Sequence, residues 1–327
     1  MTPEAVTPEA MTYAYTRYLA AKKSVDDRAL NRHVLSELCR LVPPGRPRVL
    51  EVGAGLGTMV ARLFEWQVVT AGEYTLLDVD RRLLWDSRAW LCEWADARGL
   101  PARPLPDGVR LGDLRVRLVE AELGSYLEAG SGTPVDLVIA NAFLDLVDVP
   151  AVLPGLLRLL APGGAYWFTV NFDGESIFQP DHPHDDDVMG AYHRSMDRRV
   201  RHGRSAGESR TGRHLFGHLR AAGVPPLSAG SSDWVVLAGP DGAYPDDEAY
   251  FLETILRTVQ DELDGPAAPA GLADWLAVRR RQLADGELVY LAHQLDVAGR
   301  SPGWQTDGPA RSPAWGEPLR LHGRDPR

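Results

Sequence analysis

The sequence predicts an α/β fold built on a doubly wound, mostly parallel sheet with helical lid insertions, and three observations carry that prediction. Short apolar runs alternate with helical patterns between residues 48 and 171. A glycine-rich turn, Gly53-Ala54-Gly55-Leu56-Gly57, directly follows the first of these runs. Acidic residues stand at the ends of later runs, Asp78 foremost among them. Strand-helix alternation of this kind implies right-handed crossovers, which place helices on both faces of a parallel sheet.

The elements follow in order. Residues 1–45 read as an N-terminal tail and helical cap. Ser24-Val25-Asp26-Asp27 has the form of a helix start, and Leu30, Val34, Leu35, Leu38 and Leu41 recur at helical spacing until Pro43-Pro44-Gly45 stops the run. Residues 46–171 form a cofactor-binding core, with strands near 48–52, 74–78, 116–120, 135–140 and 165–171 and helices near 58–66, 81–98 and 150–160. Residues 172–213 are polar and dense in His, Asp and Arg without a clear strand, so they read as a lid insertion over the active site. Residues 214–300 return to the core. They bring a helix near 214–222, a strand near 233–238, two amphipathic helices at 246–263 and 272–284 forming a second part of the lid, and a last strand from 288 toward 297. Residues 301–327 are rich in Pro, Gly and charge with no apolar period and read as a disordered tail.

Composition narrows the function classes. A chain of 327 residues buries a substantial core, expected here as one core with additions. The net charge of −10, with both signs interspersed, excludes a nucleic-acid partner, which would need a clustered basic face. No run reaches the ~18 uninterrupted apolar residues of a membrane span. Residues 1–11, which repeat Thr-Pro-Glu-Ala, lack the basic and apolar regions of an export signal. The expectation is a cytoplasmic protein without a membrane partner, and the sequence leaves a homodimer open. Cys39 and Cys92 lie in apolar helical patterns and read as buried thiols, in keeping with a reducing compartment.

The glycine turn permits close backbone approach to a ligand, and the helix starting near Thr58 points its N-terminal amides there. A dinucleotide fold would place Gly at the sixth position, where Thr58 stands. Glu51, two residues before the turn, would repel a pyrophosphate and favours a sulfonium or amine cation.

On these residues, 48–171 resembles the core of the class I S-adenosylmethionine-dependent methyltransferases of small-molecule type. The resemblance implies a Rossmann-like, seven-stranded sheet with an antiparallel last strand, S-adenosyl-L-methionine as cofactor and S-adenosyl-L-homocysteine as product. It implies that Glu51, Gly53, Ala54, Gly55 and Gly57 form the first cofactor motif. Asp78, with Val79 beside it, would hold the ribose hydroxyls, and Glu122 would meet the adenine amino group. Asn141 and Ala142, within the run from Asp136 to Asp145, would line the methionine end. Leu159-Leu160-Ala161-Pro162-Gly163-Gly164 matches the segment before the fifth strand. Asp80 reads as a helix cap.

Methyl transfer from a sulfonium is an in-line displacement of a group already activated, so the protein supplies alignment and a dry site. A base matters where the acceptor carries a proton. His193 and Asp197, four apart in a helical segment, would share one face, with His193 as base or substrate contact and Asp197 orienting it. Tyr192, His184 and Asp145 complete the catalytic candidates. The run 182–187 reads as a solvated turn, and no metal is expected. Tyr13, Tyr15 and Tyr18 offer an aromatic surface for a flat substrate or for core packing. Arg28 and Asn31 are placed to reach over the cofactor pocket, and Trp85, Trp90 and Trp94 read as packing. The expected activity is methyl transfer to oxygen or nitrogen of a small organic molecule. Two rivals stand beside it: a protein that binds S-adenosylmethionine in a sensory or non-methylating role, and an NAD-dependent oxidoreductase, which Thr58 and Glu51 disfavour.

Overall fold

The computed structural model describes residues 8–130, 133–201 and 203–302. The expected tail at 301–327 and residues 1–7 therefore lie almost wholly outside the described residues. Two helices precede the sheet, α1 (Pro8–Ala29) and α2 (Arg32–Leu41). The break falls at Asn31, whose side chain accepts from the His33 and Val34 amides and caps α2. Ser24, expected to open a helix, lies inside α1 instead. Asp26 and Asp27 there pair with Lys22 and Lys23 one turn back, so these acids support the helix they were expected to begin.

The alternation then runs through β1 (Arg48–Val52), α3 (Thr58–Glu65), β2 (Ala71–Asp78) and α4 (Arg81–Asp96). A hairpin absent from the sequence reading follows, β3 (Ala102–Leu105) and β4 (Gly108–Leu111), and leads antiparallel into β5 (Asp113–Glu120). Its turn is Pro106-Asp107-Gly108, a strong local turn signal. Next come α5 (Leu123–Glu128), β6 (Val135–Asn141), α6 (Val149–Arg158) and β7 (Leu160–Gln179). The sequence pattern predicts the end of this last strand at Asn171. It continues for eight residues because β12 (Val289–Arg300) pairs along it as far as Gln179.

Between β7 and β12 lie α7 (Asp185–Asp197), the hairpin β8 (Val200–Arg201) and β9 (Arg204–Ser205), α8 (Thr211–Ala221), β10 (Ser228–Ser231), β11 (Trp234–Val236), α9 (Glu248–Leu263) and α10 (Leu272–Ala284). The main sheet has ten strands in the order β10-β12-β7-β6-β1-β2-β5-β4-β3, with β11 also on β12. Strands β5, β2, β1, β6 and β7 are parallel and β12 is antiparallel. Ten strands stand where seven were expected because the β3–β4 hairpin extends one edge and the other edge strand is split into β10 and β11.

Alternate residues of β1 serve two cores, as pleating requires. Val49 packs into the layer of α2, α3 and α4, and Leu50 and Val52 pack into the layer of α6 and α8. The late helices join the N-terminal cap, since α9 packs on α1, α7 and α10. Arg28 and Asn31 belong to this cap's framework and not to a pocket. Arg28 pairs with the buried Glu248 at 2.6 Å, and Asn31 donates to the Ser231 carbonyl at 2.8 Å.

Candidate active site

The turn after β1 holds Gly53, Gly55 and Gly57 at φ of 61°, 55° and 73°, a region costly for any residue with a Cβ. Its backbone is tied in place by three hydrogen bonds. The Ala54 amide donates to the Leu77 carbonyl at 3.1 Å, the Gly57 amide to the Ala54 carbonyl at 2.9 Å, and the Gly55 amide to Asp78 Oδ2 at 2.8 Å. Asp78 sits at the end of β2, and its Oδ1 also accepts from the Asp80 amide at 3.0 Å. Asp80 caps α4 as expected, accepting from the Arg82 and Leu83 amides. Two apolar side chains lie across the turn. A Cβ at Gly53 would strike the Phe143 ring, and one at Gly55 would meet Leu19 of α1 at 3.1 Å.

Glu51 is 2% exposed and accepts from the Tyr74 hydroxyl at 2.9 Å. Burial raises its pKa to about 8, against the lowering effects of the Tyr74 hydrogen bond and Arg62, while Asp78 adds to the rise. A carboxyl whose folded pKa lies above its usual value contributes stability fully at low pH, and that contribution is lost as pH rises toward and through about 8. Glu51→Gln, which keeps an acceptor for Tyr74, is therefore expected to be more stable than the wild type at pH 8 by about 2 kcal/mol. The gain should vanish near pH 5 in thermal melts; a variant equally stabilised at both pH values would contradict this account of the buried acid.

At the end of β6, Asn141 Oδ1 accepts from Thr169 Oγ1 at 2.8 Å, and the Ala142 amide donates to the Thr169 carbonyl at 2.9 Å. Ala142 has φ 48°, a strained kink that turns the chain off the strand and sends Phe143 over Gly53. Asp145 follows on a 3-10 turn spanning Leu144–Leu146. Its Oδ1 is buried without a partner, and burial raises its pKa to about 6, opposed by a backbone hydrogen bond, Lys22 and Arg199. Tyr192 of α7 lies within electrostatic reach of Asp145, and burial pushes its hydroxyl up to about 12. Tyr18 of α1 and Tyr290 of β12 lie within reach of Tyr192 in turn.

The remaining catalytic candidates are distributed differently from the expectation. His193 Nε2 shares a hydrogen bond of 3.2 Å with Ser176 Oγ, and its ring packs on Phe172. Burial lowers its pKa, opposed by Glu175 and Asp197. Asp197 does not hydrogen-bond His193; its Oδ1 accepts the Ser209 amide at 2.8 Å, fixing the lead into α8. His184 lies at the opposite end of α7, its ring packed against Gly271 and beside His182. That loop braces α7 against α10, because Asp185 accepts from Trp275 Nε1 at 2.7 Å and pairs with the buried Arg279. Helical spacing placed His193 and Asp197 one turn apart correctly, but the neighbours of α7 took up the carboxylate.

On the cofactor side, Glu122 is exposed and caps α5, accepting from the Ser125 amide at 2.8 Å. Val79 stands 66% exposed at the tip of β2. Trp94 packs edge-on to Phe64, whereas Trp85 is half exposed with Arg88 over its ring, so it is not a core residue. Tyr15 stacks on Tyr18 and Tyr18 on Phe251; the Tyr13 side chain lies outside the described residues. No local sequence pattern distinguishes Lys22, Ser176 or Tyr290 as site residues.

Five parallel strands, a glycine turn after the first, an acid closing the second and an antiparallel strand inserted beside the fifth together decide the architecture. The fold is a doubly wound, Rossmann-like α/β fold. No family model matches the chain, and no curated protein does. Among solved structures, the chain is similar to a candidate sarcosine dimethylglycine methyltransferase from Galdieria sulphuraria, at 15% identity and a TM-score of 0.42 over 85% of this chain and 86% of that one. It is similar to the N-methyltransferase NodS from Bradyrhizobium japonicum, at 16% identity and a TM-score of 0.40 over 85% and 99%. It is similar also to a Haemonchus contortus phosphoethanolamine N-methyltransferase, at 12% identity and a TM-score of 0.44 over 90% and 58%. Among the described residues no helix is long and apolar enough to cross a membrane.

Proposed function

We propose that this chain transfers a methyl group from S-adenosyl-L-methionine to a small organic acceptor. One observation carries the reading: a turn of three left-handed glycines lies between a buried acid, Glu51, and the strand-end carboxylate of Asp78, with Phe143 over Gly53. The donor set suits the cofactor's chemistry. A left-handed glycine cradle admits the methionyl backbone, a strand-end carboxylate suits a ribose diol, and a buried acid suits an amino group. In this reading Asp78 holds the ribose, Glu51 faces the amine, Asn141 and Ala142 border the methionine end, and Glu122 or its neighbours meet the adenine. The cofactor, when bound, supplies a methyl group already activated on a sulfonium.

The chain's own residues then have three tasks. Phe143 and Leu19, which cover the turn, exclude water from it. The α1 and α7 walls align the acceptor through Tyr18 and Tyr192. Asp145 accepts a hydrogen bond or a proton at Oδ1.

Calorimetric titration with S-adenosylhomocysteine, sinefungin and NAD tests the proposal. The first two are expected to bind and NAD is not; tight NAD binding without S-adenosylhomocysteine binding would replace this reading with an oxidoreductase. Binding of S-adenosylhomocysteine without transfer of labelled methyl to any acceptor in a cell extract would favour the sensory role.

A further inference from the structure

Two residues with side chains adopt left-handed backbone at the same level of the sheet, Ala142 with φ 48° and Val170 with φ 56°. They directly follow the paired residues Asn141 and Thr169, where the parallel stretch of β6 and β7 ends. The carboxyl ends of such strands form the ligand crevice of a doubly wound sheet. Val170 is the more strained of the two, because a β-branched side chain fits that backbone region poorly, and it is 2% exposed. Strain of this kind persists only where the surroundings impose it.

Asp296 imposes it. The pairing of β7 with β12 shifts register between Leu295 and Val297, so that Thr169 and Val170 together stand opposite Asp296 in a bulge. The Asp296 carboxylate is fully buried, its Oδ1 accepting the Val170 amide and its Oδ2 the Asn31 amide, each at 2.8 Å. One side chain thus joins the strained strand end to the junction of α1 and α2. An apolar residue in a regular ladder would fill the same space without the cost of burying a carboxylate. What the carboxylate adds is a fixed direction for two amides at once. Thr169, the residue before the kink, is fully buried as well. Its Oγ1 donates to Asn141 Oδ1 at 2.8 Å, and its carbonyl accepts the Ala142 amide at 2.9 Å. Hydrogen bonds and peptide links therefore run unbroken from Asp296 to the kink that sends Phe143 over Gly53.

We propose that Asp296 is a positioning residue for the methionyl end of the cofactor site: by holding the Val170 amide it sets Thr169, and Thr169 sets Asn141 and the Ala142 kink. The use of this end by the cofactor rests on the methyltransferase reading; the link from Asp296 to Ala142 does not. Asp296 touches no ligand in this scheme. Asparagine at the position keeps the size and one acceptor but turns an NH2 group toward one of the two amides, which then loses its partner.

The test titrates wild type and Asp296→Asn by calorimetry with S-adenosylhomocysteine and with methylthioadenosine, which has the adenosine and the sulfur but lacks the amino-acid end. The variant is expected to bind S-adenosylhomocysteine about tenfold more weakly and methylthioadenosine within about twofold of the wild type. A role in stability alone would weaken both alike; that result, or unchanged affinity for both, would overturn the proposal. Hydrogen exchange on the ligand-free proteins reads the link directly. The Ala142 amide is expected to exchange about tenfold faster in Asp296→Asn, while the Ala54 amide, tied to the Leu77 carbonyl, stays within about twofold. Equal acceleration at both amides, or none at Ala142, would overturn the proposal even if no ligand binds. A variant that fails to fold leaves the reciprocal measurement on the wild type. There S-adenosylhomocysteine should slow exchange at the Val170 amide about tenfold and methylthioadenosine should not, and equal slowing by the two would overturn the proposal. Failure of the wild type to bind S-adenosylhomocysteine would overturn the methyltransferase reading instead.

Discussion

Arg62→Met is expected to destabilise the protein by about 3–5 kcal/mol, the loss typical when one partner of a buried ion pair is removed. Arg62 is fully buried on α3, directly behind the glycine turn. Its guanidinium donates to Asp27, to Asp26 at 3.3 Å, to the Lys23 carbonyl at 3.2 Å and to Thr58 Oγ1 at 3.0 Å. Methionine fills much of the same volume but leaves Asp27 with Lys23 alone and Asp26 without one of its donors. The pH dependence identifies the cause. Burial raises the Asp27 pKa, but Arg62 and Lys23 outweigh it and hold the net value below the usual carboxylate range. A depressed acid contributes stability above its unfolded pKa and loses it as pH falls through the folded value, so the gap between wild type and variant should narrow in acid. Urea denaturation at pH 7 and pH 4 measures both. Adding Asp26→Asn to Arg62→Met should recover part of the loss, since one uncompensated charge is removed. A loss below about 1 kcal/mol at pH 7 would mean that water or Lys22 takes over the role of Arg62.

The same arginine shows why some of this molecule is legible in its sequence and some is not. The turn from Glu51 to Gly57 could be read because glycine's freedom, the following helix and the preceding acid are all local, and β1 and α3 begin where the sequence placed them. The far half of β7 could not. Its polar residues look like a loop until β12, more than a hundred positions later, supplies the ladder and the inward-pointing Asp296, whose Oδ1 accepts the Val170 amide at 2.8 Å. The catalytic list met a different obstacle. His184, Asp197 and Asp145 carry equal chemical promise in sequence, and only packing reveals that His184 lies against Gly271, that Asp197 holds the Ser209 amide and that Asp145 Oδ1 is left unengaged. Composition counts titratable groups; it does not show which of them the fold has already used.

Asp78→Ala is expected to weaken S-adenosylhomocysteine binding on the order of 100-fold, the equivalent of two hydrogen bonds to a charged group less some compensation by water. The geometry argues for this size of effect. Asp78 is spending one lone pair of Oδ2 on the Gly55 amide and one of Oδ1 on the Asp80 amide, and an ionised carboxylate has about four such sites. Two remain, one on each oxygen, which is the arrangement a vicinal diol engages. The substitution therefore removes both the diol's acceptors and the tie that holds Gly55 in its left-handed conformation. Asp78→Asn separates these effects. The amide keeps one acceptor oxygen for Gly55 or for the ligand but presents a donor where the second acceptor was, so its affinity should fall between the two, by roughly tenfold. Calorimetric titration of the three proteins with S-adenosylhomocysteine gives the order, and thermal melts without ligand report how far the turn has loosened. If Asp78→Ala binds within about threefold of the wild type while its melting temperature falls, the carboxylate serves only the turn, and the ribose contact must be sought among the residues that follow β5.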